Sequence, residues 1–468
     1  MDSNAISTAA LLQPKILAAS SRRTILQNLA FAMSNASDLI IATASAEIAL
    51  SQDELVPEFS RMTRTLEMFA DLLRDDNWTR PAASPAAPDP SDAIGPNHDI
   101  RSFLIPLRGA VIVFGASNFP LAYGVCGGDT ASALAAGCPV VVKEHPAHRN
   151  TGRLLAQIAR DAVNSAGFDP DLLCYVEDDG KDTASLARSL VEHPDAAAVG
   201  FTGSTKIGTT LINIANARAI PIPVFAEMGS VNPNIIFPGA LASRAKDIAR
   251  QLAASILARH GQQCTCPGLV FVPSNEHHFA DVFEEELTKG APRRMLSPGV
   301  REGFERSVAK VAGALGEDVS DHTAPSERKS PLLLRAPSKA AVELPEVLET
   351  EMFGPAAVVL SGSMADAESA IARLPGSLTL SLWFDESEVT NVRHLLPDIL
   401  HRAGRIIFNG VPTGVRVCEA MVHGGPWPAT NRPESTAVGP RAIERWCRPV
   451  CFQNAPEAIV YPALAAGA

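Results

Sequence analysis

Short apolar runs alternate with helix-like segments between residues 103 and 230, and this alternation limits the folds that the chain can adopt. Apolar runs of strand length occur at residues 110–114, 139–142, 172–176, 196–201 and 223–226. Segments with apolar residues at helical spacing separate them, at residues 120–136, 150–166, 181–192 and 205–217. Strands that alternate with helices of this length form βαβ units, so we expect a parallel sheet covered by helices in an α/β fold.

The remaining segments suggest how the chain is divided. Within a second α/β unit at residues 231–440 we expect helices at 241–258 and 278–289 and strands at 269–272, 356–360 and 378–384. We expect a group of helices at residues 8–75 and a strand at residues 443–453. The proline-rich residues 80–90 indicate an exposed connector, and residues 315–345 indicate a surface excursion. A chain of 468 residues exceeds what one hydrophobic core serves, so we expect two or three domains.

The composition argues against several classes of protein. Lys and Arg total 40 against 51 for Asp and Glu, a net charge of −11 that argues against a nucleic-acid partner. We see no secretory signal and no apolar run near the roughly 18 to 20 residues of a membrane helix. The 8 cysteines have no disulfide framework, and Cys264 and Cys266 lack a second ligand pair, so we expect no metal site. A cytoplasmic protein with reduced thiols is expected.

Residues 260–268, HGQQCTCPG, are the best candidate for a reactive centre. A thiol on a turn flanked by glycine can present its sulfur to a substrate, whereas an isolated cysteine is more often an apolar core residue. Cys266 is a competing thiol two positions after Cys264. The interpretation of Cys264 as a nucleophile therefore depends on two distant segments.

The first of these segments contains Glu227, the single carboxylate of residues 224–233 (VFAEMGSVNP). Such a carboxylate is either paired or has a raised pKa, and a raised pKa suits a general base. The second contains Asn118, which follows the apolar run at 110–114. Its amide can donate a hydrogen bond to an oxyanion or cap the next helix.

Taken together, these segments resemble the aldehyde dehydrogenase superfamily over residues 20–460. The family's order of motifs continues through residues 201–205 (FTGST), 351–355 (EMFGP) and 408–410 (FNG). Residues 115–120 (GASNFP), 127–139 and 422–426 (VHGGP) are most similar to the 2-oxoglutarate semialdehyde dehydrogenases. The resemblance implies NAD(P)-dependent oxidation of a small-molecule aldehyde to a carboxylic acid.

The resemblance also implies an arrangement of domains. A Rossmann-type cofactor domain would comprise residues 1–90 and 108–229, although no GxGxxG fingerprint is present after its first strand. An α/β catalytic domain would comprise residues 230–440. A small β oligomerisation arm at residues 91–107 and 441–468 would build a homodimer or homotetramer.

The family's catalytic roles correspond to three residues of this chain. Cys264 would attack the aldehyde, Asn118 and the Cys264 backbone N–H would bind the oxyanion, and Glu227 would activate the water that hydrolyses the thioester. Cofactor-binding positions implied in the same way are Lys143, Pro146, Gly203, Ser204, Lys206, Glu351 and Phe353. The backbone N–H groups of Gly203 and Ser204 and the dipole of the helix that follows could receive phosphate, although this pattern is also a common helix cap.

The choice between NAD and NADP depends on the residues that follow Lys143. NAD-preferring members commonly have Glu three residues after this Lys, and this chain has Pro146 there. Nearby cations that could pair with the 2′-phosphate of NADP are Lys143, His148, Arg149 and Lys206. Glu144 could repel it. We expect NADP to be favoured and NAD to work as well.

The substrate positions that the resemblance implies are Phe119, Arg416 and His423. A 2-oxo acid semialdehyde carries a carboxylate, which Arg416 could bind. The subgroup tends to have an acidic residue at this position, so Arg416 leaves the exact substrate open. His423 lines the pocket or lies on the surface. Alternative functions are the oxidation of longer aliphatic aldehydes, a cofactor-independent thiol esterase and a non-catalytic protein with the same fold.

Overall fold

Two parallel β-sheets organise the protein, whose computed structural model describes residues 3–273, 277–324 and 326–459. The first sheet has the spatial order Leu173–Val176, Val140–Lys143, Ala110–Phe114, Ala196–Thr202 and Val224–Glu227, with all neighbours parallel. Each strand begins and ends within one residue of a predicted run, because both faces of the sheet are buried and the strands are mostly apolar. The predicted α/β fold is confirmed.

Helices cover both faces of the first sheet. Along its central strand, Val111 and Val113 face one hydrophobic cluster, whereas Ile112 and Phe114 face another. The helices of this half are Ser3–Leu12, Ala19–Asn35, Ser37–Glu47, Gln52–Leu72, Gly128–Ala136, Arg149–Ser165, Thr183–Glu192 and Thr205–Asn216. The amino-terminal helices predicted at residues 8–75 are therefore present and supply much of the first cluster.

The helix predicted at residues 120–136 is too long, since it begins only at Gly128. Turns occupy the residues before it. A Cβ at Gly124 would collide with the carbonyl group of Pro120, and a Cβ at Gly127 would collide with that of Ala122. These close backbone approaches replace the first two turns of the expected helix.

The second sheet has the order Leu332–Pro337, Ala356–Gly362, Leu269–Pro273, Pro233–Ile236, Ser377–Trp383 and Ala403–Phe408, again all parallel. The prediction of a surface excursion at 315–345 is wrong in part, because Leu332–Pro337 is the edge strand of this sheet. Prolines flank its short leucine run, so the sequence did not indicate a strand there, although an edge strand tolerates proline. Helices packed around the sheet are Pro238–Leu257, His277–Thr288, Pro298–Leu315, Ser320–Thr323, Lys339–Glu343, Pro345–Glu349, Met364–Ile371 and Val389–Ile399.

A third, antiparallel sheet joins Ala82–Ser84, Ile100–Pro106 and Cys447–Gln453. The connector predicted at 80–90 is exposed as expected but contributes its first strand to this sheet. Residues 460–468 of the predicted arm lie outside the described residues, and the division into domains stays a prediction. Among the described helices, none alone has the length and apolar composition of a membrane span, while Ala19–Asn35 and Ser37–Glu47, bent by 71°, pass that test as a pair.

Candidate active site

The turn that delivers Cys264 has an unusual backbone. Three consecutive residues before it, Arg259, His260 and Gly261, have φ values of 48°, 55° and 70°. Residues other than glycine rarely adopt positive φ, so the surrounding structure must hold this conformation. Glycine is required at position 261, because a Cβ there would collide with the carbonyl group of Gly354.

Side chains from other segments fix the turn around Cys264. Asn232 Nδ2 donates hydrogen bonds to the carbonyl oxygens of Cys264 and Cys266, at 2.7 and 3.0 Å. Gln262 Oε1 accepts a hydrogen bond from the N–H of Leu296 at 2.8 Å. The backbone N–H of Cys264 has no acceptor in the described part of the chain and is free to bind an oxyanion.

Asn118 lies beside this turn, on a turn of its own beyond strand Ala110–Phe114. Its buried side chain donates a hydrogen bond from Nδ2 to the carbonyl oxygen of Gln262 at 3.0 Å. Its carbonyl oxygen accepts a hydrogen bond from Arg259 Nη1 at 2.7 Å. Because the amide nitrogen has two hydrogens, one of them remains for an oxyanion.

A buried ion pair connects both turns to helix Gln52–Leu72. Arg259 Nη2 lies 2.8 Å from Glu58 Oε2. The other carboxylate oxygen of Glu58 accepts hydrogen bonds from the N–H groups of Leu121 and Ala122, at 2.8 and 3.1 Å. One carboxylate therefore holds the two turns that carry the predicted nucleophile and oxyanion donor.

Cys264, Glu227 and His423 form a compact cluster. Glu227 is the last residue of strand Val224–Glu227. His423 Nε2 lies 3.1 Å from Glu227 Oε1 and 3.8 Å from Cys264 Sγ. Glu227 and His423 are 4% and 3% exposed, so their interaction is shielded from water. The cluster combines a thiol with two groups that can accept its proton.

The electrostatics of the cluster place the proton on sulfur at rest. Burial raises the pKa of the Cys264 thiol well above its usual range, and the charge of Glu227 raises it further. Burial also acts to raise the pKa of Glu227, but His423, the hydrogen bond from Cys264 and the charge of Arg61 together hold that pKa below its ordinary value. Of the two alternatives that the sequence leaves for Glu227, the structure therefore favours the paired carboxylate.

The sequence interpretation of His423 missed these contacts. The side chain is buried against Glu227 rather than on the surface, and its backbone N–H donates to Thr436 Oγ1 at 2.9 Å. Its partner Glu227 is 196 residues away in the chain, so no local pattern indicates the pair. A role for His423 in substrate binding stays a prediction.

A cavity of about 690 Å³ opens onto the cluster. It brings together the three predicted catalytic residues, Asn118, Glu227 and Cys264. The predicted cofactor residues that line it are Pro146, Gly203, Ser204, Glu351 and Phe353. Helix Pro298–Leu315 forms part of the wall and adds Arg306, a basic residue that the sequence interpretation did not single out.

Glu351 lies in this cavity beside Gly229. A Cβ at Gly229 would be only 2.6 Å from Glu351 Oε2, so the glycine leaves room for the carboxylate. Burial raises the pKa of Glu351 to about 7, against the opposing effect of a hydrogen bond from the Ser230 backbone and with support from the charge of Glu227. This carboxyl group therefore changes its charge near neutral pH.

Gly203 and Ser204 precede helix Thr205–Asn216 as predicted. Ser204 is the N-cap, and its Oγ accepts a hydrogen bond from the N–H of Ile207 at 3.4 Å. The N–H of Gly203 donates to the carbonyl oxygen of Glu227 at 3.0 Å. A phosphate at this helix end would therefore meet the N–H groups of the first helical turn rather than that of Gly203.

Two predicted cofactor residues do not line the cavity. Lys143 is buried, with Nζ 2.5 Å from Asp178 Oδ2. This ion pair, with hydrogen bonds from Thr183 and the Gly180 backbone, outweighs burial and lowers the pKa of Asp178 to about 2. Lys206 is exposed on its helix. Cofactor binding by either lysine stays a prediction.

The charged residues after Lys143 are engaged with one another. Glu144 is fully buried and pairs with Arg149 at 3.3 Å and with Arg153 at 3.2 Å. His148 is buried, with Nε2 3.0 Å from the carbonyl oxygen of Ala116. These contacts neutralise the carboxylate of Glu144, but they also occupy two of the cations expected to meet a 2′-phosphate.

The two other predicted substrate residues lie in different surroundings. Phe119 packs against Tyr123, with ring centroids 5.8 Å apart. Arg416 is exposed, whereas its neighbours Val415 and Val417 pack on the apolar cluster that contains Tyr123. The alternation of this segment directs Arg416 away from that cluster, and its role in substrate binding stays a prediction.

The cavity has the features that a nicotinamide dinucleotide requires. A helix N-terminus suits the pyrophosphate, the carboxyl group of Glu351 can accept hydrogen bonds from ribose hydroxyls, and Phe353 offers an apolar wall. The cluster of Cys264, Glu227 and His423 could also hold a metal ion, since their ligand atoms lie within 4.8 Å of one another. The expectation of no metal therefore stays a prediction.

Comparisons with known proteins agree with this geometry. Residues 3–303 match the model of the aldehyde dehydrogenase family. The chain is 40% identical to alpha-ketoglutaric semialdehyde dehydrogenase 2 of Azospirillum brasilense over 425 residues, which are 90% of this chain and 80% of that protein. It is 36% identical to alpha-ketoglutaric semialdehyde dehydrogenase of Acinetobacter baylyi over 94% of this chain and 83% of that protein.

The fold is also that of a solved dehydrogenase. Glyceraldehyde-3-phosphate dehydrogenase GapN from Methanocaldococcus jannaschii, complexed with NADP, superimposes with a TM-score of 0.77 at 16% identity. The match covers 96% of this chain and 93% of that chain. At this identity the likeness establishes the fold alone.

Proposed function

Because the chain belongs to the aldehyde dehydrogenase family, we propose that it oxidises 2-oxoglutarate semialdehyde, or a similar short aldehyde that carries a carboxylate, to the acid. The enzyme is an NAD(P)-dependent aldehyde dehydrogenase, and we propose the identity of its substrate. The observation that carries it is the similarity to two relatives named for this semialdehyde over most of their length.

The first step joins Cys264 to the carbonyl carbon of the aldehyde. Ionised Glu227 accepts the thiol proton as the sulfur attacks, because a neutral thiol is a poor nucleophile and its partner is already deprotonated. The oxyanion receives hydrogen bonds from the Cys264 N–H and from Nδ2 of Asn118. Loss of one such donor typically raises the barrier by about 3 to 4 kcal/mol.

The next steps require a hydride acceptor and a water molecule. A bound nicotinamide would supply the hydride acceptor. Glu351 and the N-terminus of helix Thr205–Asn216 would hold the dinucleotide in the cavity that Cys264 also lines. Glu227 releases the thiol proton to solvent and then takes a proton from the water that hydrolyses the thioester; the carboxylic acid leaves and the Cys264 sulfur regains a proton. His423 stabilises the ionised form of Glu227 from which each of these transfers begins.

NADP is the favoured cofactor in this proposal. Pro146 lines the cavity without a negative charge, and the charge of Glu144 is neutralised by two arginines. Neither residue repels a 2′-phosphate. A higher kcat/KM with NADP than with NAD is expected, and the reverse order would refute this preference.

The proposed assembly is a homodimer or homotetramer built through the antiparallel sheet. Its strand Cys447–Gln453 has a mostly exposed surface at the edge of the sheet, which suits pairing with a second chain. Light scattering on the purified protein should give a mass of two or four chains. A monomer at micromolar concentration would refute this part of the proposal. A cytoplasmic location remains a prediction.

A second candidate substrate class is supported by an apolar cluster beside the cavity. Its buried members are Ala116, Ala122, Tyr123 and Val438, with Phe119, Val415, Val417 and Met421 packed against them. Such walls suit the chain of a longer aliphatic aldehyde. A comparison of kcat/KM for substrates with and without a carboxylate therefore distinguishes the two candidate substrate classes.

One assay tests the function. Reduction of NAD and NADP is followed by absorbance over a panel of carboxylated and aliphatic aldehydes, with Cys264→Ala as the inactive reference. The highest kcat/KM is expected for the carboxylated semialdehyde. A higher value for aliphatic aldehydes would overturn the substrate proposal, and activity that persists in Cys264→Ala would remove the proposed nucleophile.

A further inference from the structure

An arginine on helix Gln52–Leu72 contacts the segment that follows Asn118. Arg61 Nη2 donates a hydrogen bond to the phenol oxygen of Tyr123 at 2.9 Å. Its guanidinium carbon lies 5.2 Å from the centroid of the same ring. Tyr123 is 8% exposed and follows Asn118 on the same turn, so this contact is close to the predicted oxyanion donor.

Arg61 has no carboxylate partner among the described residues, in contrast to Arg259 and Arg445. None of the ion pairs among the described residues includes Arg61, whereas Arg259 pairs with Glu58 at 2.8 Å and Arg445 with Asp129 at 2.7 Å. The cation is therefore neutralised by no neighbouring side chain of the described protein. A partly buried charge in this condition has the chemistry of a site for an anion.

The reacting groups are within electrostatic reach of Arg61. The contact with Tyr123 contributes most to the raised pKa of Arg61, burial opposes the rise, and the charge of Glu227 adds to it. Arg61 in turn helps to hold the pKa of Glu227 low, so the guanidinium and this carboxylate interact. A ligand bound at Cys264 would extend toward the same guanidinium if it followed the Tyr123 ring.

Tyr123 adds a second donor of the type that a carboxylate requires. Burial raises the pKa of its phenol far above neutral pH, so the group keeps its proton. The phenol oxygen accepts the hydrogen bond from Arg61, while the phenol proton has no acceptor among the described residues. Arg61 and Tyr123 therefore present a guanidinium N–H and a phenol O–H side by side.

The surroundings of these two donors are largely apolar. Phe119 stands edge-on to the Tyr123 ring, and Val417 and Val438 line a narrow cavity with Arg61 and Tyr123. The methylene groups of a short aldehyde would contact these walls. The carboxylate at its far end would then meet the two donors.

Three other arginines fit this task less well. Arg405 donates hydrogen bonds to the carbonyl oxygens of Gly414 and Pro412. Arg259 is held by Glu58. Arg416, expected from the sequence to meet the substrate carboxylate, is exposed. Arg61 is the arginine whose position and free donors best fit that task.

We propose that Arg61 and Tyr123 form the subsite that binds the substrate carboxylate distal to the aldehyde group. The inference rests on the proposed function, because it presumes a carboxylated aldehyde. It assigns the selectivity for that aldehyde to a helix that the sequence comparison with the family did not single out.

The test compares two substrates in several variants. The substrates are a semialdehyde with a terminal carboxylate and a neutral aldehyde of the same chain length. In Arg61→Met the ratio of their kcat/KM values should fall about 10- to 100-fold, mainly through a higher KM for the carboxylated substrate, since a hydrogen-bonded charge is lost. Arg61→Lys should keep part of this ratio, and Tyr123→Phe should lower it about 3- to 10-fold.

Arg64→Met is the matched control. Arg64 lies on the same helix one turn later and is exposed, so the substitution removes an equal charge without touching the site. Its substrate ratio should equal that of the wild type. Thermal unfolding of each variant identifies any that fails to fold. If Arg61→Met fails to fold, the substrate ratios of Arg61→Lys and Tyr123→Phe provide the test.

The outcomes separate the inference from the proposed function. If the wild type does not prefer the carboxylated aldehyde, the proposed function fails. If the wild type prefers it and the variants keep the full ratio, the carboxylate binds elsewhere and the inference fails. Equal losses for both substrates would show that Arg61 and Tyr123 only support the fold, and would also overturn the inference.

Discussion

The imidazole of His423 lies 3.1 Å from the carboxylate of Glu227, with both side chains buried. This pair explains how a carboxylate enclosed by apolar residues stays ionised, because His423 counteracts the effect of burial on the pKa of Glu227. The carboxylate can then receive the thiol proton at the moment of attack. The pair connects Glu227, at the end of a strand in the first sheet, to His423, in a loop near the carboxyl terminus.

Replacing His423 should move the pH profile of the enzyme. In His423→Phe, burial still raises the pKa of Glu227, but the interaction with His423 that lowers this pKa is lost. The pKa of Glu227 should therefore rise, and the acidic limb of the pH profile of kcat should shift to higher pH. We expect kcat at pH 7 to fall about 10- to 100-fold. The pH dependence of kcat measures the shift. His401→Gln, at an exposed position, is the control, and an unchanged acidic limb in His423→Phe would refute the role of the pair.

Replacing Glu227 should lower both thiol reactivity and turnover. Glu227→Gln removes the base that accepts the thiol proton, and burial still keeps that proton on Cys264, so the rate of alkylation by iodoacetamide at pH 7 should fall. Turnover should fall at least about 100-fold because the thioester loses its general base. Mass spectrometry distinguishes Cys264 from the buried Cys266. Alkylation of Cys264 at the wild-type rate or faster in the variant would contradict this account.

The ionisation of Glu351 should govern cofactor binding near neutral pH. Its pKa of about 7 leaves a neutral acid below that pH and a carboxylate above it, and the carboxylate is the stronger acceptor for ribose hydroxyls. The Kd for the dinucleotide should therefore increase several-fold between pH 8 and pH 6, as measured by calorimetry. Glu351→Gln should flatten this dependence. A wild-type Kd independent of pH would exclude the role.

The same carboxyl group makes a prediction about the cofactor-free protein. The folded-state pKa is raised above the ordinary value of 4.5, so the group favours folding below pH 4.5, and this contribution is lost as the pH rises through 7. Compared with Glu351→Gln, the wild type should therefore lose stability between pH 5 and pH 8. Denaturant unfolding of both proteins measures the difference, and parallel pH curves would contradict it.

Breaking the ion pair between Glu58 and Arg259 should destabilise the protein and lower its activity together. Glu58→Ala leaves a buried guanidinium and two backbone N–H groups without their acceptor, a change that costs about 3 to 5 kcal/mol. The double variant Glu58→Met with Arg259→Met should recover part of this loss. Glu67→Gln, exposed on the same helix, is the control. Denaturant unfolding with wild-type stability in Glu58→Ala would refute the prediction.

The regular part of the fold was predictable because its signals are local. Strand Ala110–Phe114 is found at its predicted bounds since five consecutive apolar residues leave few alternatives for a buried segment. The edge strand Leu332–Pro337 was missed because its hydrogen bonds run to one neighbour only and its ends contain proline. Local composition does not predict which segments pair with the edge of a sheet.

The site was predictable only where a motif carries the chemistry. Asn118, Glu227 and Cys264 occur in recognisable segments, and their side chains share one cavity. The pairing of Lys143 with Asp178 and the exposure of Arg416 depend on side-chain directions that no motif encodes. Arg61 illustrates the same limit, because its helical surroundings resemble any amphipathic helix until its contact with Tyr123 is seen.

The absence of a side chain at Gly261 lets the segment that carries Cys264 lie directly against the segment that carries Glu351. The backbone of Gly261 abuts Gly354, three residues beyond Glu351, so the proposed nucleophile and the proposed ribose ligand belong to two segments in contact. A shift of one segment must be transmitted to the other. Lengthening either segment by a single residue would therefore displace Cys264 and Glu351 together, so neither segment is free to vary in length independently of the other.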